Sequence, residues 1–333
     1  MADVAGQSTE SGRFRWKLVV VLAGLIAAAL VGLSRFHGAA MIAPSEVETL
    51  YSASLTPPEA PLRVFHLGHS LVGPDLPAMV QQLAEPGHRY ESQLGWGASL
   101  KTHWDPDVEI PGFAEENAHE RYRDARAALL SGDYDAFVAT EMVEIRDAIK
   151  YHDSSRYLGK WADLARRGNP DVRIYLYETW HQIHDPEGWL ARLDRDLGRF
   201  WEAEILLPVL ARQEAPDPIY VIPAGQVFAK FIRAVHEIGG TDDFSGKEGL
   251  IRTNSDGELD DVHLNDLGTY LVALTHYAVL YQKSPVGLPR QLRRADGGLA
   301  QAPSEETARL MQETVWQVVT SYPKTGVRQA TNQ

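Results

Sequence analysis

The sequence has 333 residues, with 44% hydrophobic and 23% charged residues, a balance that excludes a disordered, collagenous or coiled-coil chain. Asp and Glu number 45 against 32 Lys and Arg, so the formal net charge is −13, which argues against nucleic acid as a partner because phosphate binding needs a basic surface. Cysteine is absent, which excludes disulfides, a thiolate nucleophile and thiolate zinc sites.

The chain begins with a basic segment followed by an apolar run. Arg13, Arg15 and Lys17 precede Leu18–Leu33, sixteen residues that are all apolar or glycine. A basic flank before an apolar core is typical of an export signal. With its aromatic flank the run is just long enough to span a bilayer, which takes about 17–25 residues, and the positive-inside rule places its N-terminus in the cytoplasm. We therefore predict a single-pass inner-membrane anchor with the rest of the chain periplasmic or extracellular; the alternative is secretion after signal cleavage.

The composition divides the chain into four predicted regions. Residues 1–40 form the cytoplasmic N-terminus and the membrane segment. Residues 41–61 are rich in proline and predict a short stalk. Residues 62–322 carry regular strand and helix patterns and form one folded domain, while residues 323–333 are expected to form a flexible tail.

Short apolar runs alternate with helical patterns in the folded domain. Five runs predict strands at Leu62–Leu67, His88–Leu94, Tyr134–Thr140, Val172–Tyr177 and Ile219–Ile222. Helices are predicted at Leu76–Ala84, Glu115–Leu130, Ser155–Arg167, Gly188–Arg212 (in two pieces around Pro208), Gln226–Ile238 and, as long amphipathic helices, Leu264–Leu280 and Ser304–Thr320. Strands separated by helices predict a parallel sheet with helices on both faces, that is, a three-layer α/β/α fold.

Candidate catalytic residues follow the strands, where open parallel sheets form their sites. Ser70 comes directly after the first strand, although a serine in this position can also simply cap a helix. Asp260 and His263 are three residues apart, a spacing that in a turn lets a carboxylate and an imidazole converge on one serine. Gly97 lies in a glycine-rich turn after the second strand, where its N–H can donate to an oxyanion.

Together these segments resemble the SGNH hydrolases, also called GDSL esterases/lipases, over about residues 62–283. RVFHLGHSLVGPDLPAMVQQLA is similar to the first block of that family, LGWGASLKTHW to its glycine block and DDVHLNDLGTYLVAL to its final block. The resemblance implies a flavodoxin-like sheet and ester hydrolysis through an acyl-enzyme, with no cofactor. It implies Ser70 as nucleophile, His263 as general base and Asp260 as the residue that orients the base. It also implies the N–H groups of Ser70 and Gly97 as oxyanion donors.

The chain departs from the family pattern at two places. His69 stands before the serine, where the family usually has Asp or Asn. After the third strand the family's oxyanion-binding Asn is absent, and Thr140 and Glu141 occupy the segment. The Thr140 hydroxyl is a candidate oxyanion donor, whereas Glu141 could help only if burial keeps it protonated, or could bind a polar substrate. Loss of one oxyanion donor costs about 10²–10³ in rate, so a slow or specialised enzyme is expected.

Further candidates for substrate binding lie at the same rim. Trp96 and Trp180 follow strands on loops and suit sugar rings, although ordinary packing is the more common role of such tryptophans. His181 lies in a polar loop that would line the cleft. Together with His184 and Asp185 it could also be interpreted as a metal cluster, but we predict no metal. His66, inside the first strand, is expected to be a core histidine with satisfied hydrogen bonds.

Two functions from different classes remain open. The first is a membrane-anchored extracytoplasmic serine esterase that removes an acetyl-like group from a carbohydrate or another small ester. The second is a noncatalytic SGNH-like module that binds a glycan or a partner protein, and the altered third block supports it. An O-acyltransferase using the same triad also stays open, because water and a sugar hydroxyl compete for one acyl-enzyme.

Overall fold

The computed structural model describes residues 41–329. The described residues from Ile42 onward form one compact unit. The predicted membrane segment Leu18–Leu33 lies outside the described residues. Within the described part of the chain, no helix combines the length and the apolar character needed to cross a membrane.

Seven strands form two sheets between residues 41 and 329. They are β1 (Arg63–His69), β2 (Arg89–Gly95), β3 (Ala136–Ala139), β4 (Arg173–Glu178), β5 (Ile219–Pro223), β6 (Ile251–Thr253) and β7 (Leu259–Leu264). The first five are parallel in the order β2-β1-β3-β4-β5, which is the flavodoxin-like order. The predicted α/β class with five parallel strands is confirmed. The antiparallel pair β6–β7 is an addition that the sequence pattern did not indicate.

Helices cover both faces of the parallel sheet. They are α1 (Pro44–Leu50), α2 (Asp75–Leu83), α3 (Leu100–Trp104), α4 (Phe113–Glu116), α5 (Ala125–Ser131), α6 (Ile145–His152), α7 (Ser154–Gly168), α8 (Trp189–Asp196), α9 (Leu207–Leu210), α10 (Ala224–Glu237), α11 (Asp266–Tyr281) and α12 (Glu305–Ser321). Nearly every residue of β1, β3, β4 and β5 is buried, as expected for strands covered on both sides. Helix α11 packs against α2 and α12, and α5 packs against α7.

The predicted helix Glu115–Leu130 is wrong. The chain forms the two short helices α4 and α5, with an irregular segment between them. Asn117 explains the break, because its buried side chain accepts the Leu94 N–H and donates to the Leu94 carbonyl, which ties the segment to the end of β2. Asp124 then begins α5 by accepting the Ala127 N–H.

Two other helices differ from their predicted character. The helix predicted to be amphipathic over Leu264–Leu280 is α11, which is buried along almost its whole length because other helices pack on it as well as the sheet. The helical segment predicted over Gly188–Arg212 continues through a π-helical stretch, Leu197–Leu206, between α8 and α9. The π-helical stretch gives way to the α-helix α9 just before Pro208, close to the predicted break.

Residues 41–61 pack on the domain, so the predicted stalk is wrong. Tyr51, directly after α1, is buried, and its hydroxyl donates to the Ile219 carbonyl at the start of the edge strand β5. The Leu55 N–H donates to the Gly326 carbonyl at 2.9 Å. The apolar side chains of this segment therefore cover part of the sheet edge, which a composition rich in proline does not reveal.

Residues 323–329 belong to the folded unit as well. The segment Pro323–Thr325 forms a single 3₁₀ turn, and both Thr325 and Val327 are buried. The predicted flexible tail is therefore wrong up to this point, and residues 330–333 lie outside the described part of the chain.

His66 is buried in β1 as predicted, but its hydrogen bonds are not satisfied. Neither of its ring nitrogens has a partner within residues 41–329. The ring lies near His276 of α11, with the two centroids 6.1 Å apart. Burial lowers the pKa of His66 well below its usual value and lowers that of His276 to about 4. Both rings are therefore neutral near pH 7, since burying a charged imidazolium would be far more costly.

Candidate active site

Ser70 lies in the turn after β1, at the carboxyl edge of the sheet. The turn is closed by the Val72 N–H, which donates to the His69 carbonyl. Gly68 is required just before it, because a Cβ there would lie 2.6 Å from the Thr140 Cγ2 atom. The Ser70 Oγ atom lies 2.9 Å from His263 Nε2. The structure thus brings together two of the residues that the sequence analysis selected.

Asp260 and His263 lie on β7 rather than in the predicted turn. The His263 Nδ1 atom is 3.0 and 3.1 Å from the two Asp260 carboxylate oxygens. Asp260 Oδ1 also accepts the backbone N–H groups of Val262 and His263, each at 2.8 Å. The carboxylate therefore folds back along its own strand and reaches the imidazole without a turn.

The charge of Asp260 decides the tautomer of His263. Partial burial alone would raise the pKa of Asp260, but the His263 and Val262 N–H groups and the His263 ring outweigh it and lower the pKa to about 2. Asp260 is consequently ionised at neutral pH and accepts a proton-bearing Nδ1. The Nε2 atom is then left unprotonated toward Ser70, which is the arrangement a general base requires.

Arg252 is a site residue that the sequence analysis missed. It lies on β6, and its Nη2 atom is 3.1 Å from Asp260 Oδ2. Its half-exposed side chain also lines the pocket that contains Ser70 and His263. No motif marks this arginine, because its place beside Asp260 depends on the pairing of β6 with β7.

Two backbone N–H groups face no protein acceptor at this edge. Gly97 has a φ of 58°, in the left-handed region that glycine adopts without strain. Its neighbours Trp96 and Ala98 donate their N–H groups to the Pro111 and Gly95 carbonyls. Among the hydrogen bonds of residues 41–329, none uses the N–H of Gly97 or of Ser70. These are the two N–H groups that the family resemblance assigns to an oxyanion.

Thr140 does not provide an oxyanion donor, so that prediction is wrong. Its side chain is buried, and its hydroxyl donates to the Tyr177 carbonyl of β4 at 2.8 Å. Its methyl group faces Gly68. The hydroxyl is thus used to join the ends of β3 and β4.

Glu141 is fully buried, so its predicted contact with substrate is also wrong. Its Oε1 atom accepts the Met142 N–H at 2.9 Å and the Leu100 N–H at 3.3 Å. The carboxyl group thereby ties the start of α3, just after the glycine turn, to the end of β3. Burial raises the pKa of Glu141 from 4.5 to about 7, because a charge here has lost its water.

Replacing Glu141 by glutamine is expected to weaken the pH dependence of stability. The folded-state pKa lies above the unfolded one, so the folded state binds more protons between pH 4.5 and 7 and loses stability as the pH rises through that range. At pH 8 the raised pKa of Glu141 lowers the free energy of unfolding by roughly 3 kcal/mol relative to its value at low pH. Urea unfolding at pH 5 and at pH 8 measures this free energy. Between pH 5 and pH 8 it should fall less for E141Q than for the unmodified chain.

The exposed residue Glu115 offers a matched control for this measurement. E115Q makes the same chemical change on the surface of α4, and we expect it to leave the pH dependence unaltered. The same pH dependence in E141Q as in E115Q would contradict the assignment of a raised pKa to Glu141.

Of the predicted rim side chains, Trp96 alone is exposed; about half of its surface is accessible. Trp180 is buried, and its indole N–H donates to the Val262 carbonyl of β7 at 2.7 Å. His181 is buried against Trp189, whose carbonyl lies 3.3 Å from His181 Nε2. The predictions that Trp180 and His181 contact substrate are therefore wrong. Trp180 instead supports the strand that carries His263.

Ion pairs hold the polar loop after β4. Arg192 is fully buried and pairs with Glu144, Asp185 and Asp196. Asp185, which the alternative interpretation treats as a metal ligand, therefore serves as an ion-pair partner of Arg192. Within residues 41–329 no group of three or more His, Asp or Glu side chains is arranged to hold a metal ion.

The pocket beside Ser70 and His263 is small. Its volume is about 130 Å³. Apolar side chains from α2 and α11, such as Leu76 and Val272, form part of its wall. The polar side is formed by the serine and the histidine together with Asp75, Arg252 and Thr269. A space of this kind can take a short acyl group beside the Ser70 hydroxyl.

Comparisons with known proteins give likenesses only among solved structures. No family model matches the chain, and no curated protein matches it. A DUF4886 family protein from Bacteroides uniformis is 16% identical and aligns over 80% of this chain and 96% of its own, with a TM-score of 0.49.

Two carbohydrate esterases are also similar. A carbohydrate esterase family 3 protein from Talaromyces cellulolyticus is 13% identical over 66% of this chain and 97% of its own, with a TM-score of 0.36. A carbohydrate esterase family 2 enzyme from Corynascus thermopiles (Myceliophthora fergusii) is 9% identical over 51% of this chain and 59% of its own, with a TM-score of 0.29.

Proposed function

We propose that this chain is a serine ester hydrolase of the SGNH type, which cleaves a small acyl ester through an acyl-enzyme. The observation that carries the proposal is the continuous set of contacts from Ser70 Oγ to His263 Nε2 at 2.9 Å and from His263 Nδ1 to Asp260 at 3.0 Å. Such a set converts a weakly nucleophilic hydroxyl into an attacking group. A noncatalytic binding module has no need of it.

In the acylation step the Ser70 oxygen attacks the ester carbonyl carbon while His263 Nε2 takes the hydroxyl proton. Asp260 stabilises the imidazolium that forms and keeps the ring in place. The protonated imidazole then gives its proton to the departing alcohol oxygen, and the acyl group stays on Ser70. In the second half, His263 accepts a proton from a water molecule that attacks the acyl carbon, and Ser70 leaves with that proton.

The oxyanion of each tetrahedral intermediate is assigned to the free N–H groups of Ser70 and Gly97. The third donor expected from the family pattern is absent, because Thr140 donates to a neighbouring strand and Glu141 is buried. The oxyanion hole would then have two backbone donors instead of three donors. The enzyme is therefore expected to be about 10²–10³-fold slower than one with all three donors.

The substrate class follows from the size of the pocket. A volume of about 130 Å³ beside Ser70 suits an acetyl or similarly short acyl group. The test is hydrolysis of p-nitrophenyl acetate and butyrate by the full chain, with acetate preferred.

We also propose that residues 1–40 anchor the enzyme in the inner membrane, with the hydrolase domain outside the cytoplasm. The sixteen-residue apolar run behind three cations supports this placement. Deleting residues 1–40 is expected to move the protein from the membrane fraction to the supernatant, because the apolar surface that partitions into lipid is removed.

Fractionation by ultracentrifugation, with immunodetection of a C-terminal tag, measures this shift. The full chain should need detergent for release, since high salt removes only peripheral proteins. Recovery of the intact full-length chain in the supernatant without detergent would contradict the anchor. Recovery of a shortened chain lacking its first 40 residues would support secretion after cleavage.

A further inference from the structure

A second cleft adjoins the Ser70 pocket. Its volume is about 630 Å³, and it shares Gly73 and Pro74 with that pocket. Its other walls come from α2, β2 and two loop segments, residues 119–121 and residues 293–295 with 297. We call it the arginine cleft, after Arg121, Arg293 and Arg294, which line it. Because the small pocket takes the acyl group, this larger space is available to the alcohol portion of an ester held at Ser70.

The charge of the arginine cleft is opposite to that of the chain. Three arginines line it against one carboxylate, Glu120, in a protein whose formal net charge is −13. Arg294 is paired with Asp266. Neither Arg121 nor Arg293 forms an ion pair within residues 41–329. Two guanidinium groups are therefore open to an anion that the protein does not itself supply.

Both unpaired arginines are held in place by neighbouring groups. The guanidinium of Arg121 lies 5.0 Å from the centre of the Tyr90 ring, an arrangement that orients it without neutralising it. The Gln82 side chain accepts the Arg293 N–H and donates to its carbonyl, both at 2.8 Å. The Arg293 Nη1 atom donates to the Gly297 carbonyl. Such fixed side chains lose little freedom when they bind a ligand.

His119 adds a neutral donor to the same cleft. Its Nδ1 atom accepts the Arg121 N–H at 3.1 Å, so the ring proton is on Nε2. That Nε2 atom is buried without a hydrogen-bond partner. Asp75 lines the Ser70 pocket itself, and its Oδ1 atom accepts the Ala295 N–H at 2.8 Å. The cleft thus combines two free cations with an unsatisfied polar donor, as a charged sugar would require.

We propose that the arginine cleft binds an oxyanionic group on the alcohol portion of the ester, so that the substrate is an O-acylated acidic sugar. A carboxylate, a sulfate and a phosphate share the geometry that a guanidinium group recognises. The proposal rests on the proposed function, since it places the sugar by reference to Ser70. Sugar hydroxyls would meet the neutral donors, and the anionic group would lie between Arg121 and Arg293.

The test compares O-acetyl methyl glucuronoside with O-acetyl methyl glucoside, acetylated at the same position, on the full chain in detergent. The expected result is a kcat/KM for the charged ester about tenfold above that for the neutral one, which 0.5 M salt reduces. R121Q and R293Q should each remove most of this preference. R167Q, an exposed arginine on α7 away from the cleft, should leave both values unchanged. The corresponding 6-sulfate and 6-phosphate esters of acetylated glucose identify which oxyanion is preferred.

The outcomes separate this inference from the proposed function. Equal kcat/KM for charged and neutral sugars, with Ser70-dependent turnover of p-nitrophenyl acetate, overturns the arginine cleft and leaves the hydrolase standing. Absence of Ser70-dependent turnover on every ester is instead a failure of the proposed function. In that case calorimetric titration of the Ser70→Ala chain with methyl glucuronoside still tests whether the arginine cleft binds an anionic sugar. Binding that R121Q weakens supports the cleft, and no binding overturns it.

Discussion

Replacing Ser70 by alanine is expected to reduce the turnover of p-nitrophenyl acetate by about 10⁴-fold or more. The change removes the atom that attacks the carbonyl and leaves the remaining groups of the site in place. Release of p-nitrophenolate measures the rate. A fluorophosphonate, which bonds covalently to an activated serine, should add its mass to the peptide containing Ser70 and not to the variant.

Ser284 provides the control for this substitution. It is an exposed serine after α11, and S284A should hydrolyse the ester and take up the fluorophosphonate like the unmodified chain. Circular dichroism establishes that S70A is folded. A folded S70A that keeps its turnover would contradict Ser70 as nucleophile and favour the noncatalytic module, with the residual hydrolysis assigned to surface groups.

Replacing Asp260 by asparagine is expected to lower kcat by about 10³–10⁴-fold with little effect on folding. The amide oxygen can still accept the two backbone N–H groups that Oδ1 accepts now. The amide nitrogen, however, would face His263 Nδ1 and favour the tautomer with its proton on Nε2. That proton would point at Ser70, so the imidazole could no longer accept the serine proton. The Arg252 guanidinium would in addition face a donor instead of a carboxylate.

Asp261 is the matched control, because it lies next to Asp260 on the same strand with its side chain exposed. D261N changes the net charge by the same amount and should keep the activity of the unmodified chain. The rates of p-nitrophenyl acetate hydrolysis by both variants measure the effect on catalysis. Their urea unfolding midpoints show whether folding is affected. A loss below tenfold in D260N would contradict the orienting role of Asp260. A loss of the same size in D261N would point to the overall charge.

The sequence alone was enough to predict the features that depend on local patterns of residues. Apolar runs such as Val172–Tyr177 located the parallel strands, because a strand covered on both faces must be apolar throughout. Ser70, His263 and Asp260 were selected because they follow strands or precede a helix with suitable spacing. The structure brings their side chains within hydrogen-bonding distance of one another.

The errors fall on residues whose role depends on what packs against them. Thr140, Glu141 and Trp180 all follow strands, which marks the edge of the sheet but not whether a side chain points into it or out to solvent. Each is buried because a neighbouring strand or helix supplies a hydrogen-bond partner from far along the chain. Arg252 was missed for the converse reason, since the pairing of β6 with β7 has no local signal and alone places it beside Asp260.

The contact between Ser70 and His263 joins residues that are 193 positions apart. Closing so long a loop costs conformational entropy, and chains rich in such long-range contacts fold slowly. A chain that has folded only as far as β5 therefore carries a serine with no base beside it, as inert toward esters as any surface serine. Under the proposed function, hydrolysis at Ser70 would therefore require the N-terminal and C-terminal parts of the domain to have come together.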